Sequence, residues 1–176
     1  MKAAVIGLGS MGYGIAEALL RAGIETAGCD VDETARQALI ERGGTAVEAP
    51  DALPADCDIA LVVVINAEQV EQVLFGPSGV VTHLQTGAVV AVCSTVPPAF
   101  ARAVAARIEA LGLHYLDAPI SGGAARAAEG SLTVMASGSI SAFERAQNAL
   151  DAIASTMHRL SENAGDGSAY KMINQL

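Results

Sequence analysis

Three clusters in the sequence combine residue types and spacings suited to chemistry. The first is Gly7-Leu8-Gly9-Ser10-Met11-Gly12, which follows an apolar run and opens a stretch of helical periodicity. Gly7 permits a tight turn at a strand end. Gly9, having no side chain, lets a pyrophosphate approach the backbone, and Gly12 lets the following helix pack closely on the strand. The unpaired N–H groups at the helix start would hold the phosphates. Asp30 closes the next apolar run 18 residues after Gly12, with Val31 beside it. A carboxylate there accepts hydrogen bonds from a ribose diol and repels the extra phosphate of NADP, so the reading is NAD, with NADP disfavoured. A methyltransferase using S-adenosylmethionine has a similar acid at its second strand, and a tight glycine turn beside a surface Asp is the plainer alternative.

The second cluster, Ser121-Gly122-Gly123, offers a hydroxyl and unobstructed backbone N–H groups, either a nest for a carboxylate or a plain loop. The third lies in the tail. Lys171, Asn174 and Gln175 fall at i, i+3 and i+4 on one helix face, and Ala169, Met172, Ile173 and Leu176 on the other. The polar face is either solvated or, beside bound cofactor and substrate, places Lys171 as proton donor and acceptor. Ile65-Asn66 and Thr95 end two further apolar runs. Asn66 and Thr95 either serve as strand-end and turn residues or reach a nicotinamide ribose.

These residues need a scaffold that brings strand ends together, and the pattern supplies one. Strands are expected over Ala3–Ile6, Ile24–Cys29, Thr45–Val47, Ile59–Ile65, Ala88–Cys93, His114–Asp117, Thr133–Ser137 and Met157–Leu160. Helices are expected from Met11 to Ala22 with Gly23 as stop, and over Thr34–Arg42, Ala67–Leu74, Ala99–Leu111 and Ala142–Ala154. The alternation specifies an α/β fold of Rossmann type, a doubly wound and mostly parallel sheet with extra strands at one edge. Ligands then bind at the carboxyl ends of the strands, so Gly7–Gly12, Asp30, Ile65-Asn66, Ser94-Thr95 and Asp117–Gly123 are expected to line one crevice. Residues 1–164 form the dinucleotide domain and residues 165–176 begin a separate helix.

Composition narrows the partners. The chain carries a formal charge of −9 with 52% hydrophobic and 16% charged residues, which argues for a globular chain and against a nucleic-acid partner. Its apolar runs are too short to span a membrane. Cys29, Cys57 and Cys93 are odd in number and lack paired spacing, as expected of buried thiols in a reducing cytoplasm. His83, His114 and His158 show no metal-ligand spacing, and no metal is expected.

Together the clusters resemble the β-hydroxyacid dehydrogenases, the family of 3-hydroxyisobutyrate and tartronate semialdehyde enzymes. The resemblance rests on Gly7-Leu8-Gly9-Ser10-Met11-Gly12, on Asp117-Ala118-Pro119-Ile120-Ser121-Gly122-Gly123 with Ala127 and Gly130, and on Gly165-x-Gly167 leading to Lys171 and Asn174. It implies that Gly7–Gly12 with Asp30 and Val31 bind NAD, that Ile65, Asn66 and Thr95 flank the nicotinamide, and that Ser121, Gly122 and Gly123 hold a substrate carboxylate. Lys171 is implied as general acid/base, with Asn174 and Gln175 near a small hydroxy-acid substrate. Many members carry Asn where Gln175 stands, and the longer amide reshapes the pocket. Val62–Gln69 and Lys171–Leu176 look most like the L-threonate dehydrogenase subgroup, which oxidises the 2-hydroxyl of a four-carbon sugar acid.

The family also implies a further all-helical domain that completes the site and forms a homo-oligomer. The chain is therefore expected to bind dinucleotide while turning over little substrate. A non-catalytic NAD-binding module is the reading from another class. An imine reductase is disfavoured by Lys171, Ser121-Gly122-Gly123 and Asp30.

Overall fold

Alternating apolar side chains with no polar face force the central strands to be covered on both sides. The computed structural model, which describes residues 1–174, meets this with helices on both faces of one sheet. β1 (Lys2–Ile6) leads through the glycine turn into α1 (Ser10–Arg21), followed by β2 (Glu25–Cys29), α2 (Glu33–Glu41) and β3 (Thr45–Val47). The second half-turn of the winding is β4 (Ile59–Val62), α3 (Ala67–Phe75), β5 (Val89–Val92), α4 (Pro98–Ala110) and β6 (His114–Asp117). These six strands run parallel in the order β3-β2-β1-β4-β5-β6.

The edge beyond β6 differs in kind. The chain makes a short β7 (Ile120–Ser121), then α5 (Gly123–Glu129), β8 (Leu132–Gly138), α6 (Ile140–Ile153) and β9 (Ala154–Ser161). β8 is antiparallel to β6 at Leu116–Gly138 and to β7 at Ile120–Val134, while β9 lies parallel on its other side. The last element is α7 (Asp166–Asn174). The expected Rossmann-type sheet with extra strands at one edge is therefore what forms.

Each strand divides its side chains between two cores. Ala3, Val5, Leu61 and Ala91 pack with Ile15, Leu19, Phe143 and Leu150 on one face. Ala4, Ile6, Val62 and Val92 pack with Val70, Leu74, Val104 and Ile108 on the other. Period-two alternation with both faces dry accounts for the unbroken apolar runs.

The boundaries depart from expectation at places that shape the site. The fourth strand was expected to reach Ile65 but stops at Val62. There the Val63 N–H still donates to Ile6 O at 2.8 Å, while Val63 carbonyl passes directly beneath Gly7 and the chain turns away from the sheet. Strand β7 and helix α5 were not anticipated at all. Gly122 and Gly123 adopt φ of +138° and +78°, a conformation that reads as loop, and the Ala-rich helix after them is only seven residues long. Ala127 of that helix is fully buried against Gly14 of α1, so this part of the second motif seats one helix on another.

The contact that sets the angle of α1 is between glycines. A Cβ at Gly12 would collide with the carbonyl oxygen of Gly7, whereas a Cβ at Gly9, whose φ is −61°, would meet nothing within 4 Å. Gly12→Ala is accordingly expected to destabilise the chain by about 3 kcal/mol through overpacking. Gly9→Ala should stay within about 0.5 kcal/mol of wild type, as an open surface position does. Urea unfolding of the two variants checks the contrast, and equal losses would mean that the turn relaxes around Gly12.

Candidate active site

The amino end of α1 has no cap. Gly9 occupies the N-cap position without a side chain, and the first helical bond runs from Tyr13 N–H to Gly9 O at 2.8 Å. The N–H groups of Ser10, Met11 and Gly12 thus have no partner among the described residues. They point into a cleft of about 340 Å³ walled by Gly9–Gly12, by Val63–Ile65, by Cys93–Thr95, and by Ile120 and Lys171. Open space over Gly9 beside three free donors and a positive helix end fits a phosphate group.

A second cleft of about 390 Å³ adjoins it, sharing Gly9 and Val63–Ile65 and running past Gly7 to Asp30, Val31, Glu48 and Pro50. Val31 and Ile65 are each 82% exposed, an uncovered apolar surface on either side of this cleft. Asp30 holds its rim together. Its Oδ2 accepts the Leu8 N–H at 2.7 Å and its Oδ1 accepts the Asp32 N–H at 2.9 Å. Since a carboxylate offers about four acceptor positions, two remain for a ligand. The guanidinium of Arg36 donates to the carbonyls of Asp30 and Val31. Leu8 itself is buried in the core, so it contributes a backbone bond and not a side chain.

The structure gathers Gly9, Ser10, Met11, Gly12, Ile65, Thr95 and Lys171 around the first cleft, and Gly7, Asp30 and Val31 around the second. Other expected residues stand elsewhere. The Asn66 side chain caps α3, accepting from Gln69 N–H at 2.9 Å, and lines neither cleft. Ser121, Gly122 and Gly123 line neither cleft, and of that segment Ile120 alone reaches the wall. Asn174 is exposed and off both walls, and Gln175 lies outside the described residues. Asp117 was expected on the crevice but is 0% exposed beneath α7. The single crevice expected from the strand ends is two adjoining clefts.

Two wall residues were not singled out from sequence. Val63 and Val64 looked like strand, and only their departure from the sheet exposes them to the cleft. Ser94, expected on the crevice with Thr95, lines the first cleft and bridges two strand exits, accepting from Val64 N–H at 3.0 Å and donating to Val62 O at 3.4 Å.

Lys171 is 7% exposed, although the opposite side of α7 shows Tyr170, Met172 and Ile173 at 44%, 49% and 71%. Among the described residues no carboxylate lies within ion-pair distance of its amine. No group of three or more His, Cys, Asp or Glu side chains among them is placed to hold a metal ion, and no helix is long and apolar enough to cross a membrane.

Comparison with known proteins fits this geometry. Residues 2–161 match the family described as the NAD binding domain of 6-phosphogluconate dehydrogenase. The chain belongs to that family. L-threonate dehydrogenase of Cupriavidus necator is 46% identical over 172 residues, a match covering 98% of this chain and 58% of that protein. 2-Hydroxy-3-oxopropionate reductase of Escherichia coli K12 is 34% identical, covering all of this chain and 60% of its own length. The crystal structure of 3-hydroxyisobutyrate dehydrogenase from Salmonella typhimurium superposes with a TM-score of 0.97 at 44% identity, over 99% of this chain and 61% of that one. The chain thus spans about three fifths of the length of these relatives. The resemblance to the β-hydroxyacid dehydrogenases stands on these likenesses.

Cys93 and Cys29 each line one of the clefts, while Cys57 is buried at the other end of the sheet. Burial pushes Cys29 and Cys93 up to about 12 and Cys57 up to about 11, with neighbouring Asp carboxylates adding to each. At pH 8 less than about one in a thousand should be thiolate, the form that reacts. Ellman's reagent should therefore leave the native chain unmodified over the minutes in which the unfolded chain gives three equivalents. Fast release of one equivalent from the native chain would show that a strand opens at that thiol.

Proposed function

We propose that this chain is the cofactor domain of an NAD-dependent dehydrogenase of small hydroxy acids, with L-threonate as the preferred substrate. The observation that carries the reading is the placement of buried Lys171 in the same cleft as the uncapped amino end of α1. The N–H groups of Ser10, Met11 and Gly12 would hold the pyrophosphate. Val31, Ile65 and the two free acceptor positions of Asp30 would hold the adenosine half in the second cleft. Val64 and Thr95, on the wall shared with Lys171, would flank the nicotinamide half. The cofactor, when bound, supplies a two-electron acceptor at that end of the cleft.

Lys171 as an amine takes the proton of the substrate hydroxyl as the carbinol carbon is oxidised, and as an ammonium returns it in the reverse direction. Its positive form also stabilises charge developing on that oxygen. Ser121, Gly122 and Gly123, which follow the wall residue Ile120 and line neither cleft themselves, are the family's candidates for the substrate carboxylate through their backbone N–H groups. The family resemblance assigns Asn174 and Gln175 to the substrate as well. The exposed Tyr170, Met172 and Ile173 give α7 an apolar face on which a helical domain packs, and that domain is the expected seat of oligomerisation.

L-threonate follows from the 46% identity to an enzyme of that name and from Gln175. 3-Hydroxyisobutyrate and 2-hydroxy-3-oxopropionate are the alternatives that other relatives suggest. The test is NADH formation by the protein at its full natural length on L-threonate, D-threonate, D-erythronate, 3-hydroxyisobutyrate and D-glycerate. Selective turnover of L-threonate is expected, and preference for 3-hydroxyisobutyrate or D-glycerate would overturn that substrate.

Lys171→Ala should lower kcat by about 10³-fold, in the range of a lost general base, with NAD affinity changed little. A variant that keeps its rate would remove Lys171 from the chemistry and favour a binding module. Asp30→Ala should weaken both cofactors, because the Leu8 N–H loses its acceptor, and should narrow the NAD-over-NADP ratio by at least about tenfold, the effect of removing one charge beside the extra phosphate. Isothermal titration with the two cofactors reads this ratio, and an unchanged value would leave the cofactor preference without a cause.

A further inference from the structure

The first turn of α7 has no N-cap side chain of its own, yet every one of its donors is satisfied. Asp166 N–H donates to Asn163 O at 3.4 Å, Gly167 N–H to Ser137 Oγ at 3.0 Å, and Ser168 N–H to Asp117 Oδ2 at 2.7 Å. Gly165 N–H, immediately before the helix, reaches the same Oδ2 at 3.0 Å, and the Ser168 hydroxyl donates to Asp117 Oδ1 at 2.6 Å. The helix is thus capped by side chains from the ends of β6 and β8, some 30 to 50 residues earlier in the chain. Asp117 and Ser168 are both 0% exposed.

The seat is as close as backbone allows. A Cβ at Gly167 would lie 2.6 Å from Met135 O and 2.7 Å from Asp117 O. Lys171 sits three residues after Ser168 and four after Gly167, on the same buried face of α7. Helical side chains lean toward the amino end, so the lysine stem lies back over the clamped turn on its way to the cleft. Burial raises the Asp117 carboxyl above its ordinary value, while the bonds from Ser168 and Gly165 pull the other way. A buried carboxylate is costly in itself, and the donors gathered on it are what offset that cost.

We propose that Asp117 is the positioning residue for Lys171: its carboxylate pins the first turn of α7 and so fixes where the lysine amine stands in the cleft. The inference rests on Lys171 being the proton-transfer group, and it reassigns Asp117 from a substrate motif to the alignment of the catalytic helix. Asp117 touches neither cleft and so acts only through α7.

The test compares Asp117→Ala, Asp117→Asn and Ser168→Ala in the protein at its full natural length. Asp117→Ala should cut kcat by about 10²-fold, the cost of a misplacement near 1 Å, while KM for NAD stays within about threefold. Asp117→Asn keeps an acceptor for both backbone N–H groups and lets the Ser168 hydroxyl turn to accept, so it should recover to within about tenfold of wild type. Ser168→Ala, losing one bond of the three, should cost about tenfold in kcat. A merely structural role would instead lower NAD affinity and kcat together, and would not be rescued by Asn.

Two readouts do not need turnover. Amide exchange at Gly165, Gly167 and Ser168 should accelerate at least tenfold in Asp117→Ala, with α1 unchanged. Reductive ¹³C-methylation, with the Lys171 signal identified by its loss in Lys171→Arg, gives a second readout, and that signal should shift in Asp117→Ala. Unchanged exchange and an unchanged signal would overturn the clamp. A wild-type protein that oxidises no hydroxy acid, with exchange and signal changed as expected, would count against the proposed function and in favour of the clamp. Should Asp117→Ala not fold, the same measurements on Ser168→Ala and Asp117→Asn decide, and a Ser168→Ala protein with wild-type kcat and exchange overturns the proposal.

Discussion

The carbonyl of Gly7 and the Cα of Gly12 lie so close that no side chain fits between them, and the geometry of both clefts descends from that contact. It brings the amino end of α1 down onto the end of β1, beside the point where Val63 leaves the sheet. The free N–H groups of α1 then face the exits of β4 and β5, where Val64, Ser94 and Thr95 form the opposite wall. Asp30 ties the turn from the other side by accepting the Leu8 N–H. A tight turn, a close helix and an anchored rim are three demands met by six residues.

A similar constraint governs the other end of the site. The amino end of α7 carries donors that would be buried without partners if the helix simply lay on the sheet, at a cost of about 1–3 kcal/mol each. Asp117 and Ser137 supply the partners, and the buried carboxylate ties the helix to the ends of β6 and β8. Proton transfer needs such positional precision more than it needs stability. The two later motifs of the sequence are thereby one object: the acid that begins the second holds the helix that carries the third, and Ala127 at its far end seats α5 on α1.

The two faces of α7 follow from this anchoring. Lys171, Ser168 and Gly167 are buried because that face is clamped, and Tyr170, Met172 and Ile173 are exposed because nothing among the described residues covers them. The proposed division of labour is consistent with this: a dinucleotide domain that presents its lysine inward and an apolar surface outward. The chain accounts for about three fifths of its relatives' length, which leaves room for a partner to that surface.

Much of this was legible in the order of residues. Local propensity and hydrophobic period depend on neighbours in sequence, so the alternating strands and helices, the glycine turn and the acid at the end of β2 could be read directly. The last helix was read as Lys171 with Asn174 on one face, whereas Lys171 is buried with Gly167 and Ser168 and Asn174 is exposed. What could not be read depends on contacts between distant residues. Val63 and Val64 are as β-branched as the strand before them, and they leave the sheet only because Gly7 lies over Val63. Asn66 has the chemistry to meet a cofactor, but the Gln69 N–H is nearer and takes it. Asp117 looked like one more strand-end acid over a crevice, and only the arrival of α7 some fifty residues later turns it inward. Residue type determined which groups are capable of chemistry here; the tertiary structure decided which of them are free to do it, because a polar group buried against a nearer partner is already spoken for.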